Sequence, residues 1–193
     1  FCDPERFSDD SQEIMAQYGM GVIYEKNDDG EDIRKVSSEI RKRILNNYYW
    51  KHHRMLSKAV DAQLKQYNKA LIIDCHSYPS KPLKRDLDQN INRPDFNIGT
   101  DSYHSPKKLI DIAMKFFNNA GYTLGLDWPY KGSIVPLEYY NKDKNVQTIM
   151  LEINRNLYLN EPTNEKSEKY HEIKKITSLT NIAHPMCKTM KKH

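Results

Sequence analysis

Two short apolar runs in this 193-residue sequence end abruptly in side chains that can do acid–base or metal chemistry. Leu71-Ile72-Ile73 leads into Asp74-Cys75-His76-Ser77, and Ile149-Met150-Leu151 leads into Glu152-Ile153-Asn154-Arg155. A neutral imidazole leaving a rigid strand suits zinc, because the strand fixes the direction of its lone pair. A carboxylate inside an apolar run is costly to bury unless it has a partner or a task. Together these residues supply an imidazole to hold a metal, a carboxylate to take a proton from water, and a guanidinium to bind an anion or stabilise developing charge. Those are the parts of metal-assisted amide hydrolysis. Each residue also has a plainer role open to it. His76 fits a structural histidine bonded to Asp74 or to backbone, and Glu152 fits a strand-end carboxylate paired with Arg155. A catalytic zinc takes three protein ligands as a rule, and His76 is the one that can be named here.

The other histidines are weaker candidates. His52 and His53 are adjacent, and on a helix adjacent residues point about 100° apart, which is a poor arrangement for chelating one ion. His104, in Thr100-Asp101-Ser102-Tyr103-His104-Ser105-Pro106, precedes a helix and fits either a site-lining residue or a cap for that helix.

Several elements are needed to hold these groups. Residues 69–75 read as a strand buried on both faces, residues 95–98 and 122–126 as two more, and residues 147–153 as a fourth. Apolar residues recur near helical spacing from 31 to about 68, at Ile33, Val36, Ile40, Ile44, Tyr48, Met55, Val60 and Leu64, which predicts one long amphipathic helix or two with a break near 49–51. A helix starting at Pro106 has the apolar face Leu109, Ile112, Ala113, Phe116 and Phe117 and closes near Gly121. Residues from about 164 to 180 form a last helix. Turns are expected at Gly19, Gly21 and Asp28-Asp29-Gly30. Strands alternating with helices predict an α/β fold, and in such sheets ligands bind beyond the carboxyl ends of the strands, where His76 and Glu152 stand.

Composition limits the alternatives. The length predicts a single domain spanning 1–193. Charged residues make up 29% of the chain, and the formal net charge is +4 with both signs interspersed, so no nucleic-acid groove is indicated. Only the tail is one-sidedly basic, with Lys188, Lys191 and Lys192 after Pro185, and such an end is most often solvated. Cys2, Cys75 and Cys187 form no C-x-x-C pair, which points to a reducing, cytoplasmic setting. No apolar stretch approaches membrane length.

Several segments resemble, in the same order, the motifs of the N-formylglutamate amidohydrolases: ERFSDD with GMGVIYE, YYWKHH, IIDCHSYPS, RPDFNIGTDSYHSP, PYKGSIVPLEYY and IMLEINRNLYL. The resemblance implies a three-layer α/β/α sandwich with a mostly parallel or mixed sheet, related to the zinc carboxypeptidases. It implies cleavage of N-formyl-L-glutamate to formate and L-glutamate, a step of histidine breakdown, with one zinc ion as cofactor. His76 would be a zinc ligand, Glu152 the general base, and Ser77 a pocket residue beside the metal. Arg6 would meet a substrate carboxylate or carbonyl oxygen, Tyr130 would lie on a mobile loop over the substrate, Arg155 would add positive charge, and His104 would line the pocket. The implied partner is a small anionic N-acyl amino acid, with neither nucleic acid nor membrane. The sequence starts at Phe1 without the Pro-His-Ser type motif and further acidic residue that the family carries upstream, so the remaining zinc ligands either lie in such a segment or have been lost.

Overall fold

The computed structural model describes residues 2–178 together with Ala183 and Met186. The basic tail at Lys188, Lys191 and Lys192, with Pro185 and Cys187, lies outside the described residues. Two compact units are formed, one by residues up to Asp61 with Pro82–Gln89, the other by Ala62–Lys81 with the described residues from Asn90 onward.

In the first unit the chain reverses at Gly19 and Gly30, both with positive φ, and the second reversal closes a short bridge between Lys26 and Asp32. Helix α1 (Ser38–Ile44) begins later than the apolar spacing predicts. Residues 32–36 are held in an extended path, where Val36 N–H donates to Glu25 Oε1 at 2.8 Å, and Ser37 caps the helix by accepting from Ile40 N–H. A π-helical turn (Leu45–Tyr49) joins α1 to α2 (Trp50–Tyr67), just ahead of the expected break. That turn takes one extra residue and so rotates the buried face by about 100°. Tyr49 at its end and His53 and Val60 after it therefore face inward, whereas Tyr48 and Met55 are exposed. Tyr49 packs with Val22, Ile23, Ile44, Leu45 and Trp50 to form the apolar centre of this unit.

The second unit contains a four-stranded sheet of β1 (Ala70–Tyr78), β2 (Phe96–Gly99), β3 (Leu124–Leu126) and β4 (Val146–Asn154), in the order β1-β4-β2-β3. The β1–β4 and β2–β3 pairs are parallel and the β2–β4 pair is antiparallel, so the sheet is mixed and mostly parallel. Strand β1 is an outer strand with several half-buried positions, not the doubly buried strand its apolar run suggests. Burial on both faces belongs to β4.

Alternation along the strands gives the sheet two unlike faces. Phe96, Ile98, Ile149 and Leu151, with Ile73 and Ile153, pack against Leu109, Ala113 and Phe117 of α3 (Lys107–Asn119) and against Ile173 of α4 (Tyr170–Ile176). Helix α4 is shorter than predicted, because residues 159–166 instead form a small antiparallel pair, β5 (Leu159–Asn160) with β6 (Glu165–Lys166), turned at Asn164 with φ 58°. No helix among the described residues is long and apolar enough to cross a membrane.

Phe117 is fully buried, with its ring centre 4.4 Å from that of Phe96. Phe117→Ala removes a large aromatic from a contact that holds α3 on the sheet. It is expected to cost about 3–5 kcal/mol in urea unfolding, and a loss under about 1 kcal/mol would mean that α3 does not depend on this contact.

Candidate active site

The face of the sheet opposite α3 and α4 is polar. In β1 it presents Asp74, His76 and Tyr78, and in β4 it presents Thr148, Glu152 and Asn154. The register pairs His76 directly with Glu152 and Tyr78 with Asn154. From the other side β2 pairs Asn97 with Glu152, so the carboxylate sits on the middle strand between an imidazole and an amide. Glu152 is 5% exposed and Asn97 is fully buried. Two strand ends far apart in sequence are thus brought to one place by parallel pairing.

His76 Nε2 lies 3.0 Å from Asp74 Oδ1, two residues back on the same face. This is also the bond that a structural histidine would make. It has a chemical consequence either way, because donation from Nε2–H to a carboxylate selects the tautomer whose lone pair is on Nδ1. The other Asp74 oxygen, Oδ2, accepts from the backbone N–H of Ile134 at 3.3 Å.

That bond belongs to a strap, residues 127–135, that runs over the polar face. Asn97 Nδ2 donates to the Tyr130 carbonyl at 2.8 Å, and Asn97 Oδ1 accepts from Trp128 N–H at 3.0 Å. Thr148 Oγ1 donates to the Ile134 carbonyl at 3.1 Å and shares a hydrogen bond with the Ser133 hydroxyl. Gly99 permits a close approach, since a Cβ there would stand 2.5 Å from the Gly132 carbonyl oxygen. The segment in which the resemblance implies a mobile Tyr130 is in this structure bonded to the sheet at several points.

Tyr78 stands at the end of the face. Its hydroxyl donates to the Pro94 carbonyl at 2.6 Å, and Asn154 Nδ2 donates to the same carbonyl at 3.1 Å. Burial, with the nearby negative charge of Glu152, raises the Tyr78 phenol well above its ordinary pKa, and the positive charge of Arg93 works against that rise. Arg93 therefore belongs to this neighbourhood; it opens the RPDFNIGTDSYHSP segment, but the sequence alone assigns it no role.

Other expected residues are placed elsewhere. Ser77 follows His76 in a strand and so faces the opposite way, where its hydroxyl and carbonyl accept from Arg155 Nε and Nη2, both at 3.2 Å. Ser77 and Arg155 hold each other on the helix-covered side of the sheet and are not brought beside His76. His104 is 1% exposed, and both ring nitrogens are engaged. Nδ1 donates to the Val146 carbonyl at 2.7 Å and Nε2 accepts from Asn141 N–H at 2.9 Å. That ring pins the segment before α3 to the start of β4 and to the turn at Asn141, so it serves the scaffold and does not line a pocket.

Arg6 belongs to the first unit. Its guanidinium lies 3.4 Å from Asp3 Oδ2 and 3.5 Å from Glu13 Oε1. Asp3 also accepts from the Tyr24 hydroxyl at 2.7 Å, and Glu13 accepts from the backbone N–H groups of Phe7 and Met15. His53, from α2, approaches the same motif with Nε2 2.8 Å from the Pro4 carbonyl, whereas His52 is exposed, so this histidine pair is not directed at one ion.

Residues 1–159 match the N-formylglutamate amidohydrolase family. The chain belongs to that family. A curated N-formylglutamate deformylase from Pseudomonas putida is 26% identical over 159 residues, which is 79% of this chain and 58% of that protein. The chain therefore spans little more than half the length of this curated family relative. An N-formylglutamate amidohydrolase of known structure from Ralstonia eutropha superimposes with a TM-score of 0.79 at 22% identity, covering 96% of this chain and 72% of that one. A gene product of Agrobacterium tumefaciens superimposes with a TM-score of 0.66 at 12% identity, covering 98% and 68%. At these identities the two structures establish the family's mixed α/β fold for this chain and leave its chemistry to be argued from its own residues.

Burial lowers the pKa of His53 below its ordinary 6.5, with the charge of His52 acting in the same direction and the Pro4 carbonyl opposing. The neutral ring is thus favoured in the folded chain. Acidification below 6.5 protonates the unfolded chain first, so this contribution to stability is complete above that value and is lost as pH falls toward the lower folded pKa. Between about pH 7.5 and about pH 5.5 the urea midpoint of the natural chain is expected to drop more than that of His53→Gln. Equal drops would show that His53 does not resist protonation in the folded state.

Proposed function

We propose that the protein to which this chain belongs cleaves the formyl amide of N-formyl-L-glutamate, releasing formate and L-glutamate, with a divalent metal, zinc by the family resemblance, as cofactor. The observation that carries the reading is the direct pairing of buried Glu152 with His76 on a polar face whose reverse side is the apolar core. A carboxylate in the middle strand of a sheet is expensive to maintain, and general-base work in a water-poor site gives it a purpose.

The donor set supports a metal. Asp74 holds His76 through Nε2, which directs the Nδ1 lone pair to a cation in the carboxylate–histidine arrangement common among metal ligands. When bound, the metal supplies Lewis-acid polarisation of the formyl carbonyl and lowers the pKa of water. Further ligands are expected from residues beyond this face, since a catalytic zinc takes three.

Glu152 takes a proton from the attacking water as the water oxygen bonds to the formyl carbon. The C–N bond then breaks and the proton passes from Glu152 to the departing amine nitrogen, leaving formate and glutamate. Asn97, paired beside Glu152 and bonded on both sides to the strap, keeps the neighbouring backbone in place during that exchange.

The test uses the whole protein, assayed for zinc content and for formate release from N-formyl-L-glutamate. Glu152→Gln is expected to retain the metal and lose activity by about 100-fold or more, while His76→Ala is expected to lose both. Formate release by Glu152→Gln at the natural rate would remove Glu152 from the mechanism. No release by the natural protein would remove the deformylase reading itself.

A further inference from the structure

The spacing that predicts an inward apolar face from 31 to about 68 includes Tyr48 and Met55, and neither reaches the core. Tyr48 is 66% exposed and Met55 73%. The π-helical turn at Leu45–Tyr49 sets Tyr49, His53 and Val60 inward in their place. A second line of residues is thereby left on the outer side, where Tyr48, His52, Met55 and Ala59 are all exposed at intervals of four, three and four residues. That is the spacing of a seam against which another helix packs. Met55 suits such a seam because its side chain adapts to what it meets, and Ala59 lets a partner's backbone come near.

Charge marks the same surface. Residues 38–61 hold six Lys and Arg against two Asp and Glu, and the rest of the chain holds 24 of each kind, so the formal net charge of +4 resides in this segment. At 100° per residue, Lys51, Arg54 and Lys58 fall along one flank of the line through Tyr48 and Met55, and all three are exposed. Other cations of this unit lie beside carboxylates, Lys26 by Asp32, Lys84 by Asp29 and Arg85 by Asp28.

We propose that the outer face of α1 and α2, up to Ala59, docks an acidic amphipathic helix of another protein. Apolar residues of that helix would cover Tyr48, Met55 and Ala59, and its carboxylates would lie along Lys51, Arg54 and Lys58. The charge selects this occupant. A second copy of the face would set two segments of net +4 against each other. Nucleic acid would match the cations and leave Met55 and Ala59 without use. None of these residues is assigned a part in amide hydrolysis, so the proposal stands or fails apart from the deformylase reading.

The experiment titrates the whole protein, by fluorescence anisotropy at about 50 mM salt, with a stapled helical peptide of about three heptads that carries Leu at a and d and Glu along one flank. The same peptide with Lys for Glu, and a single-stranded DNA of about 20 nucleotides, are the rival probes. Saturable binding of the acidic peptide is expected. Tyr48→Ser and Met55→Ser are each expected to weaken it about fivefold or more. The pair Lys51→Glu and Lys58→Glu is expected to weaken it about 10-fold or more and to make the Lys peptide the better ligand. Every one of these sites is exposed, so the urea midpoint is expected to stay at the natural value and shows that the variants fold.

No saturable binding of the acidic peptide would overturn the proposal. So would natural affinity in both Tyr48→Ser and Met55→Ser, because the surface would then attract opposite charge without receiving a helix. Binding of the DNA as tight as that of the peptide, with no loss in Met55→Ser, would assign the face to nucleic acid instead. A dimer in sedimentation that Met55→Ser dissociates would assign it to a second copy.

Discussion

A carboxylate on the middle strand of a sheet, 5% exposed, is the constraint to which the rest of the second unit answers. Desolvating an ionised group costs several kcal/mol unless polar neighbours replace the lost water. Strand β4 sorts its side chains by alternation. Ile149, Leu151 and Ile153 face α3 and α4, and the same nine-residue strand turns Thr148, Glu152 and Asn154 the other way. The neighbouring strands place His76 and Tyr78 of β1 and Asn97 of β2 on the same face as Glu152. A slip of one residue in β4 would exchange its two faces and turn Glu152 toward the apolar side. The apolar core therefore fixes the register, and the register assembles the polar site.

The strap solves a second problem. Polar side chains on a sheet face need partners, and water alone would leave their directions undefined. Backbone groups of the strap supply those partners, with the Tyr130 carbonyl for Asn97, the Ile134 carbonyl for Thr148 and the Ile134 N–H for Asp74. Backbone can come this near because Gly99 has no side chain, and Gly132, with φ 104°, lets the strap turn above it. The loop is irregular in secondary structure and specific in its bonds.

How much of this the sequence carries depends on the range of the interaction. His76 and Glu152 are legible because each ends an apolar run, and the mixed α/β fold follows from the alternation of periods. Their direct pairing is not legible, since it depends on a register between distant strands. Ser77 shows a local rule overridden by motif resemblance, because the two-residue period of a strand already turns it away from His76. His104 gives no local sign that Val146 and Asn141 occupy its ring. The buried face of α2 differs from the simple helical count because a π-helical turn, invisible to a period of 3.6, shifts it by one residue. Arg93 opens one of the resembling segments, yet its place beside Pro79, Tyr78 and Tyr130 emerges from the fold.

Asp74 connects the two systems. One of its oxygens orients the imidazole of His76 and the other receives the strap at Ile134, so the position of the strap and the direction of the histidine lone pair are set by a single carboxylate. A shift of the strap by one ångström would strain or break the second bond and alter the charge presented to the first. An alternation of faces, a few backbone-directed bonds and one shared carboxylate thus fix the geometry of this face at a handful of positions.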